Sequence, residues 1–161
     1  MLFTSIITSG FPGALLLAFF AAYGVHQMGI ILLNTAEDYY EDINYGLKTA
    51  VVYLGLKPSM QFAWWAIAVS GLIIQLLFIY FFLQARAETW QYLSILIFTA
   101  GWVAILKEFR EVLNKISDKD ESDAVEVIKK NGMKVPRWLK IGAYTCLSVS
   151  VVLTLLRLGY I

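Results

Sequence analysis

Four carboxylates, Glu37, Asp38, Glu41 and Asp42, fall within six residues, and Asn34 precedes Asp38 by four positions. The stretch reads Asn34-Thr-Ala-Glu-Asp38-Tyr-Tyr-Glu-Asp42-Ile-Asn-Tyr-Gly46-Leu-Lys-Thr49. On a helix, Asn34 and Asp38, Glu37 and Glu41, and Asp38 and Asp42 each share a face, and like charges at that spacing repel. A cation is expected to offset the repulsion. Hard oxygen donors favour Mg²⁺, which is usually held by one or two carboxylates together with phosphate oxygens. The chemistry in view is a metal-bridged phosphate or diphosphate. Its metal ligands would come from Asp38, Asp42, Glu37 and Glu41. Asn34 adds a neutral oxygen, and Lys48 a charge partner for phosphate. The competing reading of the same spacing is a solvated acidic cap on a helix exit.

The elements that position this segment are apolar. Of 161 residues, 59% are hydrophobic and 16% charged, and mean hydropathy is +0.66. Soluble domains run near 45–50% apolar and about 25% charged. The composition therefore excludes disorder, a nucleic-acid-binding domain and an ordinary cytosolic enzyme. With a net charge of +1, no global field recruits polyanions. A membrane-spanning helix needs about 20 mostly apolar residues. Four segments qualify, at about 13–33, 60–83, 90–106 and 141–156. Leu2 to Ser9 read as the end of a further helix, stopped at Gly10-Phe11-Pro12-Gly13. No basic n-region marks a cleavable signal. The expected fold is an all-α integral membrane domain of four spanning helices.

Four spans put both termini on one side. The connector 34–59 and the charged loop 107–140 share the other. All the Lys and Arg residues except Arg86 and Arg157 fall in those two connections. Basic loops face the cytoplasm, so the acidic segment is expected to be cytoplasmic and both termini non-cytoplasmic. Trp64, Trp65, Trp102 and Trp138, with Tyr80, Trp90 and Tyr160 opposite, read as interfacial belts. In the loop, Phe109, Val112, Leu113 and Ile116 follow helical spacing, so the third span is expected to continue to Ile116. A second helix is expected near 123–130, ended at Asn131-Gly132. The loop reads as a solvated hairpin, or alternatively as a lid over the acidic segment.

Asp38-x-x-x-Asp42, then Gly46-x-x-Thr49, then an apolar run to Leu54-Gly55, resembles the second aspartate-rich motif of the UbiA superfamily of intramembrane prenyltransferases. The motif covers about 20 residues, and the order of spans around it also resembles that family. The resemblance implies an all-helical bundle of about nine spans with two facing aspartate-rich motifs holding Mg²⁺ on a prenyl diphosphate. The diphosphate leaves, and the allylic cation alkylates a lipophilic or aromatic acceptor. By position, Asp38 and Asp42 match the second-motif aspartates. The family's first motif is absent from this sequence. The chain thus resembles the C-terminal half of such an enzyme, and an N-terminal half is the expected partner. A split gene, a truncated gene and one part of a heterodimer are all open. So are two non-enzymatic alternatives: a membrane subunit binding lipid or divalent cations, and a degenerate regulatory paralogue.

Polar residues inside spans are functional candidates. Tyr23, Gln27, Asn34 and Asp38 lie within about 60° of one another at 100° per residue. They would line a cavity leading to the acids, with Tyr23 and Gln27 as substrate contacts. Gln27 is equally an interhelical hydrogen-bonding residue. His26 and Gln75 read as structural, and Cys146 as a small buried apolar residue.

Overall fold

The computed structural model describes residues 13–160. The expected helix end at Leu2–Ser9 lies outside them. Among the described residues every regular element is helical. Helix α1 spans Gly13–Glu37, α2 Tyr39–Asn44, α3 Ala50–Leu54 and α4 Leu56–Gln84. A 3-10 turn at Thr89–Tyr92 leads into α5, Leu93–Ile116. Helix α6 spans Glu121–Gly132, and α7 spans Val135–Arg157.

Helices α1, α4, α5 and α7 are long and apolar enough to cross a membrane. The 29 residues of α4 would extend about 44 Å at 1.5 Å per residue, against a hydrocarbon core of about 30 Å. The excess carries its start, with Lys57, beyond the apolar stretch. Helix α5 likewise runs without a break through Lys107 to Ile116, the continuation that the spacing of Phe109, Val112, Leu113 and Ile116 implies. Large apolar side chains such as Leu17, Leu83 and Leu96 point outward, as a lipid-facing surface requires.

The long helices close a ring. Helix α1 packs along α4, α4 on α5, α5 on α7, and α7 returns to α1. Two apolar cores stack inside it. One surrounds Phe19, Phe78, Phe82 and Phe98. The other, at the acidic end, surrounds Ile30, Leu33, Met60, Phe109 and Trp138, and it includes Ala124, Val125 and Ile128 of α6.

In lipid, apolar burial alone does not drive helices together, so close packing and interhelical hydrogen bonds must do it. Single glycines supply the close approaches. A Cβ on Gly29 would sit 2.9 Å from the Ala63 carbonyl oxygen and 2.7 Å from Ile67 Cγ1. A Cβ on Gly101 would sit 2.9 Å from Ile141 Cγ2 and from Thr145 Cγ2. At Gly71 it would collide with the Trp102 indole. That indole donates to the Ile67 carbonyl at 3.0 Å, and Trp64 donates to Leu106 at 3.1 Å. Trp138 is fully buried and donates to Glu108 Oε2 at 2.8 Å. Three of the four tryptophans expected to form one belt therefore tie helices together. Trp65, 61% exposed, is the one left facing outward. The indoles of the other three each find a carbonyl or carboxylate on a neighbouring helix.

Gly29→Ala is expected to lower the stability of the solubilised chain by about 1–3 kcal/mol. Gly24→Ala, where a Cβ meets nothing within 4 Å, should be neutral or stabilising by up to about 1 kcal/mol. Thermal unfolding of both variants in one detergent checks the contrast.

Candidate functional site

Helix α1 ends inside the acidic run. The C-terminal end of a helix carries partial negative charge, which disfavours carboxylates there, and no basic residue occupies its last turn. Asp38 leaves the helical region at φ −94°, ψ 11°, and α2 resumes at once. The Asp42 amide donates to the Asp38 carbonyl at 2.8 Å across the interruption. The two aspartates thus remain one turn apart, with Asp38 exposed and Asp42 only 8% exposed.

The residues following the acids make turns. Gly46 has φ +67°. The Leu47 amide donates to the Asp42 carbonyl at 2.8 Å, and the Gly46 amide to Ile43 at 3.1 Å. This is a Schellman stop, in which a left-handed residue closes the helix. Thr49 caps α3, its Oγ1 accepting from the Val52 amide at 3.4 Å. Gly55, at φ +85°, joins α3 to α4. The spacing Gly46-x-x-Thr49…Gly55 therefore has a complete local explanation as helix punctuation. Lys48 is exposed in the turn between α2 and α3.

Helix α6 lies against the acidic segment. Lys129 Nζ is 3.4 Å from Glu41 Oε1. The Glu37 carboxylate occupies the space where a Cβ on Gly132 would be. Burial pushes the Tyr39 hydroxyl above its ordinary value, with Glu121 and then Tyr40 adding to the shift. The start of α6 is thus felt at Tyr39, and its end reaches Glu37 and Glu41. Asp120 caps α6 by accepting from the Asp123 amide at 2.9 Å. That bond, then the Ser122 hydroxyl, hold its carboxyl below the usual range. The helix expected at 123–130 is present, and its apolar face is packed rather than solvated.

Among the described residues no group of three or more His, Cys, Asp or Glu side chains is placed to hold a metal ion. Asn34, Asp38 and Glu41 face outward, Glu37 is half-buried, and Asp42 turns inward. Tyr23 lines a cleft of about 240 Å³ with Ala143, Cys146, Leu147 and Ser150. Asn34 and Asp38 lie outside that cleft. Gln27 Nε2 would be 3.3 Å from a Cβ on Gly142, and His26 Cε1 3.4 Å. The Gln27 amide nitrogen and both His26 ring nitrogens are buried with no hydrogen-bond partner among the described residues.

Two charged constellations had no sequence signal, because their members are far apart in the chain. Glu108 receives Arg137 and the Trp138 indole, which locks α5 to α7. Lys57 and Gln61 of α4 meet Arg110 and Asn114 of α5 around a small cleft.

Comparison with protein-family models, with curated proteins and with solved structures gave no match. None of these comparisons links the chain to the UbiA superfamily.

Because Ile128 is fully buried, Ile128→Ala is expected to cost about 2–5 kcal/mol. Lys129→Ala breaks a half-exposed ion pair and should cost less than about 1 kcal/mol. Denaturant titration followed by circular dichroism separates the two. The Asp120 cap has a lowered folded-state pKa, so its contribution is present above the ordinary carboxylate range. It is lost as pH falls through the lowered value. Asp120→Asn should flatten that acid limb in unfolding measured against pH.

Proposed function

We propose that this chain is the C-terminal, membrane-embedded half of a UbiA-type prenyltransferase, with its acidic end cytoplasmic. One observation supports the reading most: Asp38 and Asp42 stand one turn apart where an apolar helix emerges. A diphosphate whose isoprenoid tail lies in the bilayer would present its charge at that level. The donor set is hard oxygen, which suits Mg²⁺. Asp38 is outward-facing, and Asn34 lies a turn below it on the same exposed side. A second aspartate-rich motif, on a partner half, would complete the ligand set.

In this reading the reaction is an electrophilic alkylation. The bond from the allylic carbon to the bridging oxygen breaks, the diphosphate leaves with the electron pair, the acceptor's electrons form the new carbon bond, and the acceptor gives up a proton to water or to the departing diphosphate. Mg²⁺, when bound, stabilises charge on the leaving group. The chain's own contribution would be to orient that group through the outward-facing Asp38, with Asp42 one turn on and turned inward. Asn34 and Lys48 sit within the same connector as candidate substrate contacts. No nucleophilic side chain is required.

A second reading draws on the contact between α6 and the acids. Lys129 already neutralises Glu41, so part of the repulsion is answered by the chain itself. That favours a non-catalytic membrane subunit, derived from the same family, whose acidic end is held closed.

Binding of a non-hydrolysable prenyl diphosphate analogue to the purified chain in nanodiscs tests the first reading. It is measured with and without Mg²⁺, alone and with a candidate N-terminal half. Mg²⁺-dependent binding that falls by at least about tenfold in Asp38→Ala and in Asp42→Ala is expected, since charge-assisted contacts are worth roughly 1.5–3 kcal/mol each. Absence of binding in every combination would leave the second reading.

A further inference from the structure

The polar cleft between α4 and α5 lies where both helices leave their charge-free stretches. In α4 the last charge before that stretch is Lys57, and in α5 the first charge after it is Lys107. The cleft has a volume of about 190 Å³, and Lys57, Gln61, Arg110, Asn114 and Ser117 supply its polar lining. None of its lining residues is acidic.

Both cations are held in place by groups other than carboxylates. Lys57 Nζ donates to the Ser117 carbonyl at 2.8 Å. The Arg110 guanidinium lies over the Trp64 ring, 5.5 Å from its centroid. The Trp64 indole is itself tied to the Leu106 carbonyl. Neither cation is paired with a carboxylate among the described residues, and a carbonyl bond and an indole stack leave most of their donors for a ligand. Lys57 adds, last among several causes, to the lowering of the Asp120 carboxyl, but Asp120 does not line the cleft. The amides of Gln61 and Asn114 bring further donors to the same opening. Phe62 and Trp65 of α4 are exposed but border an apolar groove shared with α1, apart from this cleft.

Two fixed cations and two amides around one opening, with no carboxylate among them, form an anion site. Its height selects the anion. Lys57 bounds the charge-free stretch of α4, and Arg110 and Asn114 lie one to two turns beyond that of α5; this is the level of lipid headgroups, and basic pockets between spanning helices there bind anionic headgroups. We propose that this cleft binds a phosphate group, and that the phosphodiester of an anionic phospholipid is its source. The lipid would then sit with its headgroup in the cleft and its tails in the apolar layer. It would bridge α4 to α5 through its charge.

The test uses the whole purified chain in nanodiscs of equal phosphatidylcholine and phosphatidylglycerol, with retained lipid read by native mass spectrometry. Phosphatidylglycerol should be retained over phosphatidylcholine by roughly tenfold or more, given two basic residues at the surface. Lys57→Gln with Arg110→Gln should bring the ratio close to one. Gln61→Glu, a change at an exposed position, should do the same by placing a carboxylate at the opening, and it keeps the test valid if the double variant fails to fold. Lys140→Gln, a basic residue outside the cleft, should leave the ratio unchanged. A second arm adds inorganic phosphate to chain in phosphatidylcholine alone. Phosphate bound there without any preference for phosphatidylglycerol would assign the cleft to a soluble anion and overturn the lipid. A preference that survives both cleft variants, or that Lys140→Gln removes equally, would overturn the site.

Discussion

Four carboxylates stand at the negative end of the α1 dipole, and most of the architecture at that end answers this single electrostatic problem. Each exposed charge of the wrong sign at a helix terminus costs on the order of 0.3–1 kcal/mol. The chain responds by leaving the helical region at Asp38 and resuming in α2. It closes α2 on Gly46 and brings Lys129 from 88 residues away to Glu41. The ion pair is half-exposed and adds little by itself. Ala124, Val125 and Ile128 bury into the same core as Leu33 and Ala36. A fully buried side chain of the Val or Ile class contributes about 1.5–3 kcal/mol outside the bilayer. Apolar docking therefore holds α6 on the acidic segment, and Lys129 adds a half-exposed ion pair to it.

Within the apolar layer a different force balance applies. Lipid tails solvate leucine as well as a neighbouring helix does. Contact there depends on backbone approach at Gly29, Gly71 and Gly101, and on indole donors reaching across helices. The two regimes meet near Trp138, whose indole bonds to Glu108 and whose ring lies 5.6 Å from that of Phe109. A tight bundle below thus presents a water-facing cap above, and the acids lie at the seam.

Much of this was legible in the chain because it depends on local composition. The four apolar runs, the extension of the third to Ile116 and a helix near 123–130 follow from period and length, whereas Asn131 and Gly132, expected to stop that helix, are its last two residues. The positions of individual side chains followed less well. Nothing local tells a tryptophan that finds a carbonyl on another helix from one that faces the interface, as Trp64 and Trp65 show side by side. The docking of α6 is a long-range packing event with no period of its own. At the acidic end, the spacing of Asp38, Asp42, Gly46 and Thr49 carried the family resemblance. Gly46 and Thr49 also have structural work as a helix stop and a helix cap. The aspartates are the part of that pattern that helix punctuation leaves unexplained. Asp38 lies outward and is free to face a ligand, while Asp42 is drawn inward beneath it.

The acidic segment and α6 form one folded unit at the end of the bundle. Amide hydrogen exchange of the wild-type chain in nanodiscs tests this most directly. Amides within α6, at residues 124–131, are expected to exchange as slowly as those at 30–42 and to lose protection together with them as denaturant is added. Rapid exchange throughout α6, with 30–42 still protected, would contradict the account, for α6 would then be a solvated helix beside the bundle rather than a part of it.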